Sequence, residues 1–148
     1  MRALIQRVTS ASVSTEGESA HSIGLGYCIL LGVGPKDSEE TAQKLWNKIL
    51  KLRIFEDENG KTNLSLRDVQ GEVLLVSQFT LYADCRKGNR PSFTKGAAPA
   101  EANRLYEYFA SLVRADGISI QTGWFGAMMD VSIVNNGPFT IWLDTENL

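Results

Sequence analysis

The sequence holds a single histidine, His21, and only two cysteines, Cys28 and Cys85. A Ser-His-Asp triad would have to use His21, and the segment SAHSIG around it reads as an exposed surface hairpin. No Cys/His group has zinc spacing. There is no G-x-S-x-G elbow, no P-loop and no G-x-G-x-x-G fingerprint. Two cysteines are too few for a disulfide framework. Cys28 lies within the apolar run YCILLGV and reads as a small buried hydrophobe, while Cys85 has no histidine near it in sequence to make it a nucleophile. No apolar stretch approaches the roughly 18 residues that a membrane span needs. The opening MRALIQRVTS has arginines on both sides of a short apolar run, unlike a secretory signal. These features lead us to expect a cytoplasmic protein with free thiols.

The chain also lacks an excess of charge of either sign. Its formal net charge is −2, so any nucleic-acid contact must come from a local patch. An enzyme built from such residues, with no cofactor or metal motif, suits a bond that is already reactive. Positioning and hydrogen-bond donors would supply its catalysis.

What is present suggests one α+β domain over residues 1–148, a mainly antiparallel sheet or open barrel with two packed helices. RALIQRV, ASVSTEG, SAHSIG and YCILLGV read as short strands between Gly or Ser turns. From Asp37, DSEETAQKLWNKILKL sets Ala42, Leu45, Trp46, Ile49 and Leu50 at helical spacing, with Asp37 and Glu40 as a capping box. RIFEDENGKTNLSL reads as a hairpin with a polar tip. Its acidic residues are adjacent rather than alternate, which excludes a calcium loop. A second helix starts at Pro99, with Ala102, Leu105, Phe109, Leu112 and Val113 on its apolar face and Gly117 at its end. ISIQTG, MMDVSIVNN and PFTIWLD read as closing strands.

Three stretches carry chemistry. EVLLVSQFTLYAD reads as one long central strand, which would put Gln78 and Thr80 on one face and Ser77 and Phe79 on the other. An amide and a hydroxyl together can hold a carbonyl or a water, but they supply no strong base. A satisfied threonine beside a solvated glutamine fits the same residues. In NNGPFT, Gly137-Pro138 interrupts a strand-like run. It is either a plain turn or, if the bond is cis, a tight corner of backbone carbonyls that senses a ligand's handedness by sterics. RKGNRPSFTK gathers Arg86, Lys87, Arg90 and Lys95 around Phe93, as either a phosphate-contacting loop or a solvated one.

Together these segments resemble the D-aminoacyl-tRNA deacylases, whose SQFTL and NxGPVT motifs stand here as Ser77–Leu81 and Asn135–Thr140. The similarity extends over the whole chain and includes ALIQRV with Arg7, LRIFEDENGK and the RPSF loop. Phe139 stands where the family usually has valine. The resemblance implies a homodimer whose sites form at the interface, with SQFTL of one subunit facing the Gly-Pro corner of the other. It implies hydrolysis of the ester between a D-amino acid and the tRNA 3′ end, without cofactor, metal, DNA or membrane. Ser77, Gln78 and Thr80 would be catalytic, while Phe79, Gly137, Pro138 and Arg7 would bind substrate or support the corner. Arg86, Lys87 and Arg90 would contact tRNA. Glycyl-tRNA, including glycine mischarged on alanine tRNA, would be a second substrate. Three rivals remain: a tRNA-binding module without catalysis, a hydrolase of small D-amino-acid esters, and an editing enzyme for mischarged L-alanine.

Overall fold

The computed structural model describes residues 1–148. Its frame is set by β1 (Arg2–Ser14), a single strand where the sequence suggested two. β2 (His21–Ile23) and β3 (Gly26–Gly32) follow, then α1 (Glu39–Leu50), β4 (Arg53–Glu56), β5 (Thr62–Ser65) and β6 (Glu72–Ser77). After a 3-10 turn at Phe79–Tyr82 come α2 (Pro99–Ala115), β7 (Ile120–Thr122) and β8 (Asp130–Asp144). The apolar β3 is central, as its composition suggests. It pairs antiparallel with β1 and parallel with β6, which in turn pairs parallel with β7. β1 carries β8 along its other edge over nearly its full length. The sheet is therefore mixed, with its antiparallel part at β8-β1-β3 and its parallel part at β3-β6-β7.

The sheet curls until β2 meets β7. His21 makes that contact: its Nδ1 lies 2.6 Å from the Thr122 carbonyl and its ring stacks on Trp124 at 4.4 Å between centroids. The expected exposed hairpin histidine is thus a half-buried closing contact.

Both helices pack on one sheet face. Leu45, Trp46 and Ile49 of α1 and Leu105, Phe109 and Val113 of α2 are buried, as their spacing requires, and Tyr106 and Ala110 join them. The α1 cap is shifted from the expected pair. Ser38 is the N-cap, and its hydroxyl accepts from Thr41 N–H while Thr41 Oγ1 accepts from Ser38 N–H. Asp37 instead turns back to accept from Gly34 N–H at 2.6 Å. The polar hairpin forms as read, from β4 and β5. No helix is long and apolar enough to cross a membrane.

Candidate active site

The long central strand expected through SQFTL ends early. Its parallel ladder with β3 closes at the pair Leu31↔Ser77, and β3 itself ends at Gly32. Gln78 still donates its N–H to Leu31 O at 2.8 Å, and the chain then coils into the turn Phe79–Tyr82. Gln78 and Thr80 therefore do not share a strand face. They meet by a different route: Gln78 Nε2 donates to Thr80 Oγ1 across the first residues of the turn. The N–H groups of Phe79 and Thr80 have no acceptor, because a 3-10 turn leaves its leading donors unpaired. Phe79 is 59% exposed and meets Phe93 edge-on at 5.3 Å. The turn thus presents two free backbone donors, a tethered hydroxyl and an aromatic face.

The second cluster is an excursion in β8. β1 and β8 pair at Gln6↔Thr140 and at Val8↔Asn135, so Asn136–Phe139 bulge outward opposite Arg7. The bond Gly137–Pro138 is cis. Asn135 braces the base of the excursion. Its Oδ1 accepts from Phe139 N–H at 2.8 Å and its Nδ2 donates to Thr140 Oγ1 at 2.9 Å. Arg7 fixes the summit. It is 5% exposed, donating from Nε to Asn136 O at 2.9 Å and from Nη1 to the carbonyl of buried Ile54 at 2.7 Å. Its guanidinium lies 4.7 Å from the Phe139 ring centroid, so the phenylalanine that departs from the family pattern packs on the arginine behind the corner. Glu56, at 4.0 Å, is its one carboxylate neighbour. A Cβ on Gly137 would stand 3.1 Å from Arg7 Nη2 and 3.0 Å from Phe139 N. Asn136, Gly137 and Pro138 are exposed.

No hydrogen bond or ion pair joins the two clusters within one chain. The turn sits by the end of β1 that starts at Arg2, since Arg2 Nη1 reaches Leu81 O. The corner sits opposite Arg7, about five residues along the same strand, which is on the order of 17 Å at about 3.4 Å per residue. One chain thus holds two separate exposed clusters.

The basic loop is only partly available for an anion. Asp84 and Ser92 exchange backbone hydrogen bonds and close it. Arg86 is exposed but engaged, forked onto Asp84 at 2.9 and 2.6 Å, and Lys95 reaches the same carboxylate at 2.9 Å. These cations and the Arg86 N–H hold the Asp84 carboxyl well below the usual range. Lys87 and Arg90 remain exposed with no ion-pair partner. With Asp84, Arg86 and Ser92 they line a cleft of about 590 Å³. Cys85 is exposed within the loop, and Cys28 is buried in the core, where desolvation pushes its thiol up to about 12.

Sequence reasoning passed over Asn135, Asp84 and Arg2 as contributors to these clusters. Asn135 had a usable signal, an Asx residue two positions before Gly137.

The model of the D-Tyr-tRNA(Tyr) deacylase family matches residues 4–144. A D-aminoacyl-tRNA deacylase of Bacillus pumilus (strain SAFR-032) is 58% identical over 146 residues, covering 99% of both chains. One from Thermosipho melanesiensis is 51% identical over 149 residues, covering 100% of this chain and 99% of that one. A solved structure titled c-Myc DNA Unwinding Element Binding Protein superposes with a TM-score of 0.90 at 43% identity, over 97% of this chain and 98% of that one. A probable eukaryotic D-amino acid tRNA deacylase shares the fold at a TM-score of 0.83 and 18% identity, over 96% and 97% of the two chains.

Proposed function

The chain belongs to the D-Tyr-tRNA(Tyr) deacylase family, and from that premise we propose that it hydrolyses the ester of D-aminoacyl-tRNA, releasing free D-amino acid and tRNA. The observation that carries the reading is the pair of exposed half-sites, each built with polar precision and each lacking its complement within the chain. A two-fold homodimer complements them, since an isologous interface presents the turn of one copy to the corner of the other twice over.

In this arrangement the Gly137-Pro138 carbonyls receive the substrate's α-amino group, and Asn135 and Arg7 hold them in place. An L side chain is directed into the corner and rejected, while a D side chain points away. Glycine has no side chain to reject, so glycyl-tRNA, including glycine on alanine tRNA, is a second substrate. The free N–H groups of Phe79 and Thr80 hold the ester carbonyl and the negative charge that develops on its oxygen. Ser77 and Gln78 set the start of the turn, and the Gln78 amide occupies the Thr80 hydroxyl. Water attacks the carbonyl carbon, assisted by the neighbouring ribose hydroxyl. The ribose oxygen leaves and takes a proton, so the products are a carboxylate and an intact 3′ end. Such esters are activated, and modest transition-state stabilisation suffices. Lys87 and Arg90, in the cleft they share with the Asp84-paired Arg86, meet phosphates of the acceptor end. A charged-tRNA substrate accords with a cytoplasmic protein.

A second reading, nucleic-acid binding without catalysis, has the exposed Phe79–Phe93 pair beside two free cations in its favour. The protein whose structure is titled a DNA-unwinding-element binder is similar along nearly the whole chain. One experiment separates the two readings: D-tyrosyl-tRNA and L-tyrosyl-tRNA are incubated in parallel with the purified protein. Loss of the D ester alone supports the deacylase, whereas binding with both esters intact supports the second reading.

A further inference from the structure

We propose that Arg2 is a positioning residue for the deacylase site, pinning the 3-10 turn so that the Phe79 and Thr80 donors stand where the ester carbonyl arrives. The inference rests on the deacylase reading above.

The turn needs a pin. None of its four residues is fully buried and no side chain caps its start. From below it rests on the end of β3 with almost no clearance. A Cβ on Gly32 would stand 3.1 Å from both Gln78 O and Leu81 Cβ, and one on Gly34 would stand 2.6 Å from the Tyr82 hydroxyl oxygen. From the other side Arg2 holds it. Arg2 Nη1 donates to Leu81 O at 2.9 Å, and its Nε donates to Asp144 Oδ2 at 2.8 Å. The guanidinium lies 4.3 Å from the centroid of the Tyr82 ring, with Trp142 at 5.8 Å on β8.

Asp144 is a firm anchor. It is buried, at the last position of β8, and its other oxygen accepts from Glu146 N–H at 3.1 Å. Burial pushes its carboxyl up, but the Glu146 N–H and Arg2 outweigh this and leave it below the ordinary range. One guanidinium therefore couples the turn to the end of the strand that carries the Gly-Pro corner. The arrangement needs an arginine, because only its planar fork can serve a carbonyl and a carboxylate while lying against an aromatic ring. A displacement of about 1 Å at a positioned group can cost about 100-fold in rate.

The test uses full-length Arg2→Lys, Arg2→Gln and Gly32→Ala proteins. It reads the deacylation of D-tyrosyl-tRNA and the amide NMR shifts of residues 78–82. The expected result is a 10- to 100-fold fall in kcat for both Arg2 variants, with KM changed less than about 3-fold. The shift changes should centre on Phe79–Tyr82, and discrimination against the L ester should persist. Gly32→Ala, which pushes the same turn from below with Arg2 intact, should move the same amides and slow the same step. Arg2→Lys keeps the charge and carries the test if Arg2→Gln does not fold. A folded Arg2 variant with wild-type kcat would overturn the role alone. A wild-type protein that leaves D-tyrosyl-tRNA intact would overturn the deacylase reading, and this role with it.

Discussion

Arg7 donates to the carbonyl of Asn136 at 2.9 Å, on the residue just before the exposed Gly-Pro corner, while its other arm is committed to Ile54 inside the fold. A buried cation thus ties the most exposed part of β8 to the hairpin of β4 and β5. Replacing Arg7 by alanine strands the buried Ile54 carbonyl, at a cost of about 1–3 kcal/mol. Arg7→Lys keeps the charge, but one ammonium cannot reproduce the fork. Both variants should unfold at lower denaturant. In the fraction that remains folded, both should lose selectivity between D and L esters faster than they lose tRNA affinity. Equal D/L ratios in wild type and Arg7→Lys would remove Arg7 from the corner's support.

Gly137→Ala should be more severe at the site. Gly137 has φ +136°, a conformation L residues rarely adopt, and the new methyl would press on Arg7 Nη2 and Phe139 N. We expect kcat/KM for D-tyrosyl-tRNA to fall at least about 100-fold, with a stability loss of about 1–3 kcal/mol. Rates and denaturant midpoints measured on the same preparation separate the two effects. Wild-type turnover in Gly137→Ala would show that nothing reads the substrate at this corner.

The helices were legible in the sequence because their apolar residues recur at the period of a helix, and Leu45, Trp46, Ile49, Leu105, Phe109 and Val113 are buried accordingly. The end of β6 was not. VSQFTLY has strand-like residues, and what stops the strand is the end of its partner at Gly32, a fact of the ladder rather than of the segment. β1 was split for the same reason. TSAS weakens the local pattern, but β8 bridges it from Val8↔Asn135 to Ser10↔Val134. The motif residues were found as a set. Arg2 escaped because its partners Leu81, Tyr82 and Asp144 lie far along the chain, and Asp84 because it read as the end of the strand rather than as part of the basic loop that follows. Arg86 was grouped with the tRNA-contacting cations by composition alone, but geometry turns its guanidinium onto Asp84.

Thr80 distinguishes attack by the protein from attack by water. Its oxygen accepts from Gln78 Nε2, and no histidine or carboxylate is bonded to it as a base. Thr80→Val keeps the shape and the backbone N–H but removes the hydroxyl. It should retain single-turnover deacylation within about 10-fold, the scale of one lost hydrogen bond of about 1 kcal/mol. A fall of 10⁴-fold or more with the fold intact would make the hydroxyl the nucleophile.

Asp84 supplies a pH dependence with a definite sign. Its native carboxyl is held low by Arg86 and Lys95. A depressed carboxylate stabilises fully above the unfolded value of about 3.9, and the contribution is lost as pH falls through the native value. The loop should therefore stay closed through pH 4 and open only under stronger acid. The ¹³C carboxyl shift of Asp84 reports this directly. A midpoint at or above about 3.9 would contradict the Arg86–Asp84–Lys95 cluster.

The same cluster divides the basic loop into cations that can meet RNA and cations already engaged. Lys87 and Arg90 have no carboxylate partner, so a phosphate meets them without first displacing one. Each contact to single-stranded RNA should contribute about 0.7 to the slope of log affinity against log salt. Lys87→Ala with Arg90→Ala should lower that slope by about 1.4. It should weaken every aminoacyl-tRNA alike, since phosphates carry no information about the amino acid. Arg86→Ala should behave differently. It frees Asp84 and leaves an extra negative charge in the cleft, so affinity should fall while the loop's amide protection falls with it. Equilibrium binding of uncharged tRNA at several salt concentrations, with hydrogen exchange across residues 84–95, distinguishes the two. An unchanged slope in the Lys87/Arg90 double variant would place the RNA backbone on another face of the protein.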